Sequence, residues 1–132
     1  MTSNTTPASG VTVALLEDDA IVRMGTELFL DESGYGVVAG GSADALSKAI
    51  ASSGRRPEIL VSDYRLGGAT ALDAVEQVMK ALGERIPVVI TTGDTTSTVR
   101  DEIARRGWRL LLKPYRASDL LSLLEQASPP AA

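Results

Sequence analysis

The chain contains no histidine and no cysteine. A Ser-His-Asp or Cys-His mechanism is therefore excluded, and the usual zinc ligands are missing. Any chemistry must use carboxylates, hydroxyls, a lysine or a hard cation. Aromatic residues are only 4% of the chain, and no apolar run approaches the roughly 20 residues of a membrane span. Positive charge is scarce too. The net charge is −4, and no basic cluster is denser than Arg105-Arg106 with Arg109, which argues against nucleic acid, where Lys and Arg supply most of the affinity. Residues 1–10 are rich in Ser, Thr and Asn, lack the charged and apolar regions of a signal peptide, and read as a disordered tail. The expected compartment is the cytoplasm, with no membrane partner.

What is present suits one domain of ordinary size: 132 residues, 44% hydrophobic and 23% charged. The expected domain is 11–127, with a second short tail at 128–132. Residues 11–16 form an apolar run that ends in Glu17-Asp18-Asp19. Ile21, Met24, Gly25 and Leu28, with Phe29 beside them, mark an amphipathic helix to about Glu32. A short Val-rich strand at 35–40 follows, then a helix over 42–53 with Ser42 as N-cap and Leu46, Ala49 and Ile50 inward. Residues 59–62 are a buried strand that delivers Asp63 to a glycine-containing loop.

Leu72, Val75, Val78, Met79 and Leu82 predict a third helix, stopped by Gly83. Pro87 opens a strand at 88–91. Val99, Ile103 and Ala104 mark a fourth helix, residues 110–112 a last strand, and Leu120, Leu121, Leu123 and Leu124 a final helix. Five repetitions of strand and helix imply an α/β, doubly wound, five-stranded parallel sheet covered by five helices on its two faces. Ligands of such a sheet bind beyond the carboxyl ends of the strands.

The residues with chemical potential all fall at that edge: Glu17-Asp18-Asp19 after the first strand, Asp63 after the third, Thr92 after the fourth and Lys113 after the fifth. Two carboxylates about 4 Å apart repel by about 4 kcal/mol at an effective dielectric of about 20. Such a cluster calls for a proton, a lysine or a metal, and oxygen ligands alone point to Mg²⁺ or a similar hard ion. An acid, a lysine and a hydroxyl at one edge describe a phosphoryl site, and carboxylates that become acyl phosphates are an established use of it. Taken singly, each piece has a plainer reading. The acidic triplet suits a helix start, Asp63 could cap the next helix, and Thr-Gly and Lys-Pro are common in turns.

Together, Glu17-Asp18, Asp63, Thr92-Gly93 after Pro87-Val-Val-Ile-Thr, and Lys113-Pro114-Tyr115 resemble the receiver domain of bacterial two-component response regulators, the CheY-like family. The resemblance spans about 11–127. It implies a flavodoxin-like (βα)5 sandwich with strand order 2-1-3-4-5. Asp63 would be the phosphoacceptor, taking a phosphoryl group from a phosphohistidine on a sensor histidine kinase or histidine phosphotransfer protein. Asp18 would bind Mg²⁺ (or Mn²⁺) directly, Glu17 through water, and Asp63 and the backbone carbonyl of Arg65 would complete the set. Thr92, Gly93 and Lys113 would hold the phosphoryl oxygens, and Arg65 and Asp94 would tune the phosphate's lifetime. Such a domain is a phosphorelay switch acting on a downstream protein, not a turnover enzyme. Asp63-Tyr-Arg-Leu-Gly-Gly68 and Leu111-Leu-Lys-Pro114 look most like receivers fused to hybrid sensor kinases. With only a few residues after its last helix, the chain reads as a stand-alone regulator or a portion of a larger protein.

The chain departs from the family at three places. Gly67 stands where proline often follows the loop leucine, which should loosen the loop, and Ala71 stands where glycine is frequent. Leu110 occupies the switch position usually held by an aromatic, with Trp108 two residues earlier. Two enzyme-like readings fail. A haloacid-dehalogenase-like phosphatase needs an acid where Arg65 stands, and Gly34-Tyr-Gly36-Val-Val-Ala39 runs into a strand instead of opening a dinucleotide-binding helix. The remaining alternative is a receiver-like docking module that exchanges no phosphate. Retention of Glu17, Asp18, Asp63, Thr92 and Lys113 together argues against it.

Overall fold

The computed structural model describes residues 10–67 and 69–127. Apart from Gly10, the tails expected at 1–10 and 128–132 lie outside the described residues, as does Gly68 of the motif after Asp63.

Strands β1 (Thr12–Leu16), β2 (Gly36–Gly40), β3 (Ile59–Asp63), β6 (Val88–Thr92) and β7 (Arg109–Leu112) form one parallel sheet in the order β2-β1-β3-β6-β7. That is the expected 2-1-3-4-5 order. The labels shift because β4 (Arg65–Leu66) and β5 (Ala69–Thr70), which the sequence left as loop, pair antiparallel as a small hairpin after Asp63. Helices α1 (Ala20–Glu32), α2 (Ala43–Ser53), α3 (Ala71–Leu82), α4 (Ser97–Arg105) and α5 (Ala117–Ala127) complete the described elements.

Alternation along the strands sorts their side chains into two cores. Ala14, Leu16, Leu60 and Ile90 join Leu46 of α2, Val75 and Val78 of α3 and Ile103 of α4 on one face. Val13, Leu15, Ile59, Val61 and Val89 join Leu30 of α1 and Leu120 and Leu124 of α5 on the other. β1 and β3 are apolar nearly throughout because both of their faces are covered. Close approach of α2 to the sheet depends on Gly40. A Cβ there would stand 2.5 Å from the Leu46 nitrogen and 2.6 Å from its Cα.

The apolar stripe of α1 does not face the sheet. Ile21, Met24 and Leu28 are 83%, 67% and 59% exposed, whereas Leu30 is fully buried. Periodicity located the helix, but its rotation is fixed by the preceding turn. The Asp19 carboxylate accepts hydrogen bonds from the Ile21 and Val22 N–H groups at 2.9 and 3.0 Å, and Arg23 donates to the Glu17 carbonyl at 2.7 Å. With Arg23 drawn inward, the face carrying Leu30 turns to the core.

Candidate functional site

Each strand that carries a site residue ends at the same edge of the sheet. Parallel pairing sets Asp63 opposite Thr91 and Thr92 opposite Leu112, the residue before Lys113. Parity along the strands then decides direction. Residues 59, 61 and 63 share a face, and Val89, Thr91 and Leu111 belong to it as well.

The centre of the site is an ion pair. Lys113 Nζ lies 2.7 Å from Asp63 Oδ1. Burial by itself would pull the lysine's pKa down, but the hydrogen bond and charge of Asp63, helped by Glu17, outweigh it and hold the ammonium above its ordinary value. Thr91 Oγ1 donates to the same Asp63 oxygen at 3.2 Å. The pocket around them, about 410 Å³, is lined by Asp63, Arg65, Thr92, Gly93, Asp94 and Lys113. Across its mouth Arg65 Nη2 stands 3.8 Å from Asp94 Oδ2. Thr92 is almost completely buried and its hydroxyl oxygen accepts from the Asp94 N–H at 3.0 Å.

The acidic triplet divides. Asp19 takes the plain role of helix cap. Glu17 is buried, and burial first, then the charge of Asp63 and contact with the Asp18 side chain, push its pKa up against the pull of the Asp19 N–H. Its own N–H donates to the Gly40 carbonyl at 3.1 Å, which ties the site to the α2 junction. Asp18 is exposed, and a Cβ on Gly67 would lie 3.5 Å from its Oδ2. Asp63 caps nothing, because α3 begins eight residues later behind Thr70.

Glu17 and Asp63 interact electrostatically and Asp18 touches Glu17, yet among the described residues no group of three acids is gathered as a metal cage. Mg²⁺ does not require one, since it commonly keeps several waters and takes one or two carboxylates. Asp63 and Glu17 both act on the single ammonium of Lys113, with Asp18 against Glu17, so negative charge is in surplus, and oxygen donors match a hard cation. The donor set fits.

The loop after Asp63 explains one departure seen in the sequence. Gly67 has φ +56°, in the left-handed region that proline, fixed near −65°, cannot reach. Ala71 is fully buried at the first position of α3, and its N–H donates to the Tyr64 carbonyl at 2.7 Å. Leu110, at the switch position, packs against the core under α4, where Trp108 is also buried. Arg106 covers the Trp108 ring at 5.2 Å.

Sequence reasoning missed Thr91 and Tyr64. Tyr64 is buried beside Asp63, its N–H donates to the Thr91 carbonyl at 2.8 Å, and its hydroxyl lies 3.5 Å from Glu102 of α4. No signal in the sequence marked Thr91, because its place opposite Asp63 is set by the pairing register of two strands.

A five-stranded parallel sheet with an acid, a buried threonine and a lysine at its carboxyl edge defines a class of doubly wound α/β domains that carry a charged site beyond their strands. The family sequence model described as the response regulator receiver domain matches residues 13–125, and the chain belongs to that family, the receivers of two-component signalling. Phyllosphere-induced regulator PhyR of Methylorubrum extorquens is 24% identical over 116 residues, covering 87% of this chain and 42% of that protein. Transcriptional regulatory protein PdtaR of Mycobacterium tuberculosis is 29% identical over 135 residues, covering 96% of this chain and 62% of that protein. The chain thus spans about half the length of these curated relatives. The chemotaxis protein CheY4 of Vibrio cholerae shares the fold with a TM-score of 0.76 at 21% identity, over 89% of this chain and 98% of that one. No helix among the described residues is long and apolar enough to cross a membrane.

Proposed function

We propose that this receiver is a phosphoacceptor, with Asp63 taking a phosphoryl group in line from a phosphohistidine on a sensor histidine kinase or histidine phosphotransfer protein. The observation that carries the reading is the 2.7 Å pair of Lys113 with Asp63, in a pocket that Thr92, Gly93 and Asp94 also line. In that arrangement Lys113 is one short movement from a phosphoryl oxygen on Asp63. Thr92 holds its hydroxyl at the same rim, and Gly93 adds no side chain to obstruct the approach. Glu17 and Asp18, with Asp63 and the Arg65 carbonyl, would hold Mg²⁺ or Mn²⁺. The cation would neutralise the phosphoryl oxygens during transfer.

The output is a conformational change around Thr92 and α4 that a downstream protein reads, so the domain acts as a switch and not as a turnover enzyme. The relatives named above are regulators, so attachment of this receiver to a sensor kinase rests on the sequence resemblance alone. Incubation with acetyl phosphate or a phosphorylated kinase and Mg²⁺, followed by mass spectrometry, tests the reading. Phosphate on Asp63 that alkali and hydroxylamine both release, as they do an acyl phosphate, supports it. An unmodified Asp63, with no saturable response to beryllofluoride, favours the docking module instead.

A further inference from the structure

The carboxylate of Asp63 is held asymmetrically. Among the described residues, two side-chain donors reach it, Lys113 Nζ at 2.7 Å and Thr91 Oγ1 at 3.2 Å, and both converge on Oδ1. Their characters differ. The Lys113 side chain is 41% exposed and can move to a phosphoryl oxygen, whereas Thr91 is 5% exposed in the middle of the sheet edge, its main chain fixed by pairing with Asp63. A β-branched side chain in such a strand has little rotamer freedom, so the hydroxyl remains where it is when Lys113 leaves.

We propose that Thr91 is a positioning residue for Asp63, reserving Oδ2 as the attacking oxygen and keeping its hydrogen bond to Oδ1 through the acyl-phosphate cycle. The inference rests on the phosphoacceptor reading above. In the forward step the Oδ2–P bond forms as the P–N bond of the donor phosphohistidine breaks. The electron pair of that bond stays on the imidazole, which takes a proton from solvent, and Oδ1 becomes the acyl carbonyl. In hydrolysis a water oxygen bonds to phosphorus, the P–Oδ2 pair returns to the carboxylate, and the water's proton leaves to phosphate or solvent. A hydrogen bond to a charged acceptor is stronger than one to a neutral acceptor. Thr91 therefore favours the free carboxylate over the acyl phosphate and hastens the return to it.

The test compares wild type, Thr91→Val and Thr91→Ser after phosphorylation with acetyl phosphate and Mg²⁺. Valine keeps the shape and removes the donor; serine keeps the donor. We expect phosphate on Asp63 to decay roughly 3- to 10-fold more slowly in T91V, the size set by part of one charge-assisted hydrogen bond. The Ser variant should return toward the wild-type rate. Melting temperatures guard against a merely structural effect, which would move Tm in T91V and leave the decay constant alone. Equal decay in wild type and T91V, both phosphorylated on Asp63, overturns the inference while leaving the phosphoacceptor reading intact. A wild type that accepts no phosphate overturns both.

Discussion

Arg65 and Asp94 face one another across the opening of the Asp63 pocket, with 3.8 Å between Nη2 and Oδ2. The Arg65 side chain is 68% exposed, so the pair is a loose, salt-sensitive closure and not a structural brace. Asp94→Ala should open the path for small phosphodonors and for water alike. We expect acetyl phosphate to load Asp63 a few-fold faster, and the phosphate to be lost a few-fold faster. Raising the ionic strength should move wild type toward the variant. Stopped-flow Trp fluorescence and decay of labelled phosphate measure the two rates.

Lys113 carries a pH signature. Its folded pKa lies above that of an unfolded lysine, so its pairing contributes stability in full below the ordinary lysine range and loses it as pH rises through the elevated value. Partial exposure limits the worth of the pair to at most about 1 kcal/mol. Lys113→Met should therefore lower Tm slightly and evenly from about pH 7 to about pH 10, with the gap closing above that. Its response to beryllofluoride should be lost. Melting curves across that range check the sign.

Glu17 behaves in the opposite way to a stabilising acid. Burial raises its pKa, so the fold is favoured while Glu17 is protonated, and that advantage is lost as pH rises from the ordinary carboxylate range through the raised value. Glu17→Gln should raise the Tm of the metal-free protein at pH 7, with the difference fading toward about pH 4. The same variant should lose most of the Tm increase that Mg²⁺ gives wild type. On the proposed function, a buried acid that costs stability in the metal-free fold is one that metal binding would offset.

Two glycines should prove intolerant for different reasons. Gly40→Ala forces a Cβ into the main chain of Leu46 and should cost about 1–3 kcal/mol, an overpacking penalty that also displaces the Glu17 N–H from the Gly40 carbonyl. Gly67→Pro cannot adopt the positive φ of the hairpin turn, so it should disturb the loop beside Asp63 with a smaller loss of global stability. Chemical denaturation measures the first; amide exchange over Tyr64 to Thr70 measures the second.

Most of the fold was legible because strand burial and helix caps leave local marks. Ser42 accepts from the Ala45 N–H at 3.1 Å as its position suggested, and Gly83 closes α3 with a left-handed backbone. Asp63, Thr92 and Lys113 were legible because each follows an apolar run, and the sheet aligns the ends of such runs. The orientation of α1 was not. Its apolar stripe is real, but which side of a helix meets the sheet is decided by the Asp19 cap and by Arg23 reaching Glu17, contacts invisible to a count of spacing. Thr91 escaped for a related reason: beside Thr92 in the sequence it looked like filler, and only the pairing register sets it opposite Asp63. The β4–β5 hairpin has two residues to a strand, too short to show any alternation.

Trp108 is the chain's one tryptophan, enclosed under the end of α4 with its main-chain N–H donating to the Ile103 carbonyl at 3.2 Å and Arg106 over its ring. The domain consequently carries a built-in optical gauge at the end of the helix whose Glu102 meets the Tyr64 hydroxyl. Emission colour and quenching of that single indole would report any shift of α4 with no label attached, in the same cuvette where the donor is added.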